Sequence, residues 1–185
     1  MAGDSAFPSR YFEFNRKQKL FREFYYLKIT TFASSYFNPN RNMELDKNGI
    51  ATGDTTEDKK QRKRFIIDFY RTWESANPQK QVFNKFLKDF VNVKHISVKE
   101  TTGQASHRYI STLAITFLTE ILENATTKGS LQNTNPQKDN QKGFEKIIAM
   151  EYDKKSLGKI KLTVGVKRGT KEKVQYCITA IENGQ

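Results

Sequence analysis

His107 sits in the run Ser106-His107-Arg108-Tyr109-Ile110-Ser111-Thr112 and is one of two histidines in the chain. An imidazole is the side chain best placed to move a proton near neutral pH. Far downstream, the stretch from Lys159 to Ile181 offers Lys161, Thr163, Lys167, Arg168, Gln175, Tyr176 and Thr179. These types together suit one chemistry: RNA cleavage without a metal. That reaction needs a base for the 2′-hydroxyl, an acid for the leaving oxygen and cations for the phosphorane. In such a scheme His107 is the base or acid. Lys161, Lys167 or Arg168 stabilises charge, and Thr163, Gln175, Tyr176 or Thr179 orients phosphate. The plainer alternative is that Ser106 caps a helix and His107 packs against a sheet through a hydrogen bond. His95, read as lying inside a strand, is structural.

The run Lys59-Lys60-Gln61-Arg62-Lys63-Arg64 places five cations in six residues. At a helix start they oppose the macrodipole, so a compensating role in binding phosphate is reasonable, with Lys59, Lys60, Arg62, Lys63 and Arg64 as contacts. Arg108, Lys161, Thr163, Lys167, Arg168 and Gln175 extend the expected nucleic-acid contacts. A solvated helix start is the alternative. The rings from Tyr11 to Tyr36 could stack bases, although rings at helical spacing more often form core or a partner interface.

Other chemistries find no support. There is no Walker loop, dinucleotide fingerprint, H-E-x-x-H or G-x-S-x-G. One Cys and two His leave no set for a structural zinc, so no metal and no cofactor are expected. Glu151 and Asp153 share a strand face and could hold a cation, but a solvated face accounts for them. Cys177 reads as a small strand hydrophobe.

The balance of charge narrows the partner. The chain of 185 residues carries a net charge of +12. Up to Asn92 there are 17 basic and 11 acidic residues, and after it 15 and 9, so each half is +6. An excess spread this evenly favours a polyanion: RNA ahead of DNA, then acidic membrane, then acidic protein. No signal peptide or long apolar run is visible, so a reducing cytoplasm is the expected setting and no membrane span is expected.

The elements that must position these residues read as follows. A basic, aromatic-rich helix covers about 10–37 and could dock a protein partner or a second copy of the chain. Residues 38–58 read as a loop, with Thr55, Thr56 and Asp58 ready to cap the next element. A helix over 57–75 buries Phe65, Ile66, Phe69, Tyr70 and Trp73. Val82, Phe83, Phe86, Leu87 and Phe90 fall at helical spacing and predict a short amphipathic helix. Val91–Lys99 alternates as a strand, and Glu100–Gly103 reads as a turn. A long helix is expected over about 105–125, from Ile110, Leu113, Ala114, Phe117, Leu118, Ile121, Leu122 and Ala125. Residues 126–142 read as a mobile loop and Ile147–Tyr152 as a strand. The C-terminal stretch alternates with period 2 as a hairpin, with Lys161, Thr163, Lys167, Gln175 and Thr179 on one open face. The order implies α+β: N-terminal helices, then a long helix packed on a mainly antiparallel sheet. The expected division is a helical region over 1–90 and an α+β domain over 91–185.

The texture ISVKETTGQASHRYISTLA, LTEILENA, KIKLTVGVKRG and VQYCITAI, within 93–181, resembles small domains of phage and conjugative-element polyvalent proteins. Those are grouped with the barnase–EndoU–colicin–RelE-like nuclease superfamily. The resemblance implies a helix on a curved antiparallel sheet with a cleft over the sheet face. It also implies that His107 matches a helix-borne polar position, and that Lys161, Thr163, Gln175 and Thr179 match sheet residues. The leading expectation is a basic nucleic-acid-associated protein of a mobile element or its host, with metal-independent endoribonuclease activity an open possibility. The rival is a non-enzymatic assembly subunit of a phage or defence complex.

Overall fold

The structure is a computed structural model that describes residues 43–133 and 141–181, with the side chains of 128–133 excepted. The expected helix at 10–37 lies outside the described residues. Among the described residues, 43–46, 50–133 and 141–181 cluster as one compact unit.

Helix α1, Thr56–Ala76, starts where the sequence places it. The Asp58 backbone N–H donates to Thr55 Oγ1 at 3.2 Å, and the Thr55 N–H donates to Asp58 Oδ2 at 2.9 Å. This reciprocal box satisfies two donors that a helix start leaves open. Phe65, Ile66, Phe69, Tyr70 and Trp73 are buried along one side. The helix stops at Asn77, before Pro78, whose ring disfavours helical backbone in the residue ahead of it.

The strands are β1 (Gln81–Asn84), β2 (Asp89–Asn92), β3 (Thr126–Asn133), β4 (Phe144–Lys154), β5 (Gly158–Lys167) and β6 (Lys173–Ile181). They form one sheet in the order β1-β2-β6-β5-β4-β3. Every pairing is antiparallel except β2 with β6. Three short helices, α2 (His95–Ala105), α3 (Tyr109–Ile115) and α4 (Leu118–Asn124), lie between β2 and β3. The architecture is therefore α+β, with four helices and a mainly antiparallel six-stranded sheet among the described residues.

Helix α2 does a strand's work at the sheet's weak point. β2 pairs with β6 only at Val91–Lys173 and Asn92–Val174. Beyond that, Ser97 Oγ of α2 donates to the Gln175 carbonyl at 2.5 Å, and Ser111 Oγ of α3 accepts from the Ala180 N–H at 3.1 Å. Side chains thus bond backbone groups that would otherwise form an open edge. Trp73 Nε1–H donates to Thr119 Oγ1 at 2.8 Å and locks α1 to α4.

Four expectations are corrected. Residues 82–90 are not a helix but a hairpin: Val82 faces Val91 and Phe83 faces Phe90. The strand expected over Val91–Lys99 ends at Asn92. His95 is the exposed first residue of α2, and Glu100–Gly103 lies inside that helix rather than in a turn. The long helix over 105–125 is broken. Ala105 closes α2, and the apolar stripe is split between α3 and α4 at Thr116–Phe117, where Thr116 Oγ1 donates to the Leu113 carbonyl at 2.7 Å. Such a bond from a hydroxyl to the preceding turn competes with the helical ladder. Finally, the predicted loop over 126–142 begins as β3, which pairs with β4.

Candidate nucleic-acid interface

At 3.6 residues per turn, Lys60, Lys63, Arg64 and Arg71 fall within an arc of about 100° on α1, over about 17 Å of its axis. All four are exposed. Lys60 pairs with Glu57 at 3.1 Å and Arg71 with Asp68 at 3.2 Å, both within one turn of the helix. Lys63 and Arg64 make no ion pair among the described residues. Lys59 is half-buried at the margin of this face.

Arg62 departs from its neighbours. It lies on the opposite side of α1, among Phe65, Ile66 and Phe69, and is 0% exposed. Its Nε donates to the Ser106 carbonyl at 2.8 Å and Nη1 to the Ala51 carbonyl at 2.9 Å. Nη1 also donates to the Gly53 carbonyl, and Nη2 to the His107 carbonyl at 3.4 Å. The guanidinium ties α1 to the segment before it and to the turn between α2 and α3. A side chain so enclosed cannot reach a phosphate, which corrects its place among the expected contacts.

The turn held by Arg62 carries His107 and Arg108. Both are exposed, and His107 is neither in a helix nor buried facing the sheet as expected. Ser106 is buried but caps no helix through its side chain.

On the sheet, the structure does bring Lys161, Thr163 and Thr179 to one face. Lys161 stands opposite Thr179 on β6 and opposite Glu151 on β4, and Thr163 stands opposite Cys177 and Ala149. Lys159 likewise faces Asp153. Two lysines set against two carboxylates leave this face near charge balance, which weakens its pull on a phosphate backbone.

Gln175 does not join them. The register skips a residue between Thr163–Cys177 and Val164–Gln175, so a bulge at Tyr176 moves Gln175 to the other face. There it is 0% exposed, accepting from Tyr70 Oη at 3.1 Å and donating to Thr101 Oγ1 at 2.8 Å. Lys167 and Arg168 lie at the far end of β5. Seven residues at about 3.3 Å each put Arg168 about 23 Å from Lys161, too far to share one phosphate. Lys167 pairs with Glu172 at 3.3 Å, alongside Lys94 at 2.6 Å. Arg168 Nη2 donates to the Phe144 carbonyl at 3.3 Å.

Perturbed groups follow the same division. Burial draws Glu172 up, but bonds from Lys94 and Lys167 outweigh it and hold the carboxyl below its ordinary value. The hydrogen bond from Lys173 holds Asp89 low. Burial, with Glu100 nearby, pushes the Cys177 thiol up to about 12, away from reactive thiolate. Tyr109 rises to about 12 through burial and the Asp46 carboxylate. Among the described residues no group of three or more His, Cys, Asp or Glu is placed to hold a metal ion. No helix there is long and apolar enough to cross a membrane.

One feature went unread in the sequence. Phe83, Phe86 and Phe90 are 46%, 51% and 46% exposed, the large apolar side chains left open among the described residues. The usable signal was the interleaving of phenylalanine and lysine in Lys80-Gln-Val-Phe-Asn-Lys-Phe-Leu-Lys88, which helical spacing masked. No family model, no curated protein and no solved structure matches the chain.

Proposed function

We propose that this protein binds nucleic acid electrostatically along the outer face of α1, and holds it without cutting it. The observation that carries the reading is the arc of Lys60, Lys63, Arg64 and Arg71, with Arg62 removed to the interior and two of the four cations unpaired among the described residues. The pairs to Glu57 and Asp68 are exposed and worth at most about 1 kcal/mol each, so a phosphate can displace them. The even excess of +12 adds long-range attraction.

Cleavage is left out because the residues suited to it are scattered. His107 is in a turn, Arg168 lies just past the end of β5 about 23 Å from Lys161, and Gln175 is in the core. Kinship with the barnase–EndoU–colicin–RelE-like group remains part of the proposal, as an origin for a nucleic-acid-associated α+β domain. Fold likeness alone would not assign the activity.

The test replaces Lys63 and Arg64 with glutamine. Both side chains are exposed, so melting should not move. Affinity for a labelled 20-mer RNA at low salt should fall about tenfold or more. Unchanged affinity in the K63Q/R64Q variant would remove α1 as the interface.

A further inference from the structure

We propose that the outer face of the β1–β2 hairpin is a stacking platform for single-stranded nucleic acid. The inference rests on the reading above and names the ligand class within it. Phe83 and Phe90 are directly opposed, their ring centroids 5.4 Å apart at 73°. In the next pair on that face Gln81 brings an amide that can meet a base edge, while Asn92, whose Nδ2 donates to the Lys173 carbonyl at 3.1 Å, offers its Oδ1. Phe86 stands in the turn, half exposed. Val82 and Val91 fill the inner face.

The platform is held firmly. Asn84 Nδ2 donates to the carbonyls of Leu122 and Ala125 at 2.7 and 3.0 Å, while its Oδ1 accepts from the N–H groups of Phe86 and Leu87. One buried amide thus pins the turn to the end of α4 and shapes it. A surface ordered beforehand loses little entropy on binding.

Charge decides between occupants. Lys80, Lys85 and Lys88 bracket the rings, and all are exposed. Lys80 and Lys88 keep left-handed backbone, φ 51° and 50°, which non-glycine residues adopt rarely. Lys80 pairs with Glu74 at 2.7 Å and Lys85 with Glu123 at 3.1 Å, part-exposed pairs worth at most about 1 kcal/mol each that a phosphate can displace, and Asp89 is bonded by Lys173. Rings among cations fit a strand whose bases stack while its phosphates are neutralised. A protein partner of ordinary size would cover about 800 Å². Three half-exposed rings supply roughly 300 Å² of apolar surface.

The experiment measures anisotropy of a labelled ten-nucleotide RNA strand, and of the matching duplex, with the full chain. Replacing both rings with leucine, F83L/F90L, keeps the apolar surface and removes the stacking face. The expected result is a loss of about tenfold or more for the single strand, with duplex affinity and salt dependence unchanged. F83Y/F90Y should bind like the parent protein. F86L gives the same reading from the turn should the double variant unfold. Parent-like single-strand binding by F83L/F90L, with K63Q/R64Q still weakened, would overturn the platform and spare the α1 reading. If F83L/F90L instead lost binding only to phosphatidylserine vesicles, the hairpin would be a membrane contact and the platform would fall. Absence of binding by the parent protein at low salt would overturn both.

Discussion

Replacing Arg62 with alanine should destabilise the protein and leave its nucleic-acid affinity nearly intact. The guanidinium is 0% exposed and donates to four carbonyls, from Ala51, Gly53, Ser106 and His107. Hydrogen bonds from a charged donor contribute about 1.5–3 kcal/mol each, and a buried acceptor left bare costs about 1–3 kcal/mol. Water entering beside Ser106 and Ala51 would offset part of this. Breaking comparable buried charged contacts costs about 3–5 kcal/mol. At about 2–4 °C per kcal/mol for a chain of this size, the melting temperature should drop by about 6–20 °C. Arg62→Lys should lose nearly as much, since a single ammonium cannot reproduce the fork. Urea unfolding and RNA anisotropy on the same preparation separate the two possible roles. Stability within about 1 kcal/mol of the parent, with affinity lost, would refute the reasoning and make Arg62 a ligand contact.

Three further outcomes are expected. A Cβ on Gly165 would lie 2.5 Å from the Phe144 ring, so Gly165→Val should cost about 1–3 kcal/mol in urea unfolding. Adding Phe144→Ala should relieve that clash, giving a non-additive cycle. Glu172 is held below its ordinary 4.5, so its contribution is present above that value and lost as pH falls through the lower folded one. The urea midpoint should therefore decline from about pH 5 downward, less steeply in Glu172→Gln, and an identical slope in the variant would exclude this pair. His107→Ala should bind RNA like the parent, and neither protein should cleave it in EDTA. Cleavage by the parent but not the variant would restore the ribonuclease expectation.

Much of the fold was legible where periodicity and caps agree. Helix α1 combines a Thr55–Asp58 box with an apolar stripe, and the C-terminal hairpin alternates on either side of its bulge at Tyr176. Arg62 was misplaced among the phosphate contacts, although it precedes Phe65 and Ile66 by three and four residues and so shares their side of the helix. The β1–β2 hairpin was not legible, for two reasons. Five of its six apolar residues fit a helical wheel, and its left-handed positions are lysines rather than the glycines that usually announce them. Gln175 was misplaced because a bulge leaves no mark in alternation. The extension of β3 depends on a partner distant in the chain, β4, which local pattern cannot supply.

The most direct test of nucleic-acid binding along α1 is the slope of affinity against salt. Binding of a labelled RNA strand by the parent and by K63Q/R64Q should be measured from about 50 to about 200 mM salt. Each phosphate contact with a single strand contributes about 0.7 to the slope of log affinity on log salt, so removing two cations should flatten it by about 1.4. Equal slopes for the two proteins, or a parent affinity indifferent to salt, would contradict the proposed interface.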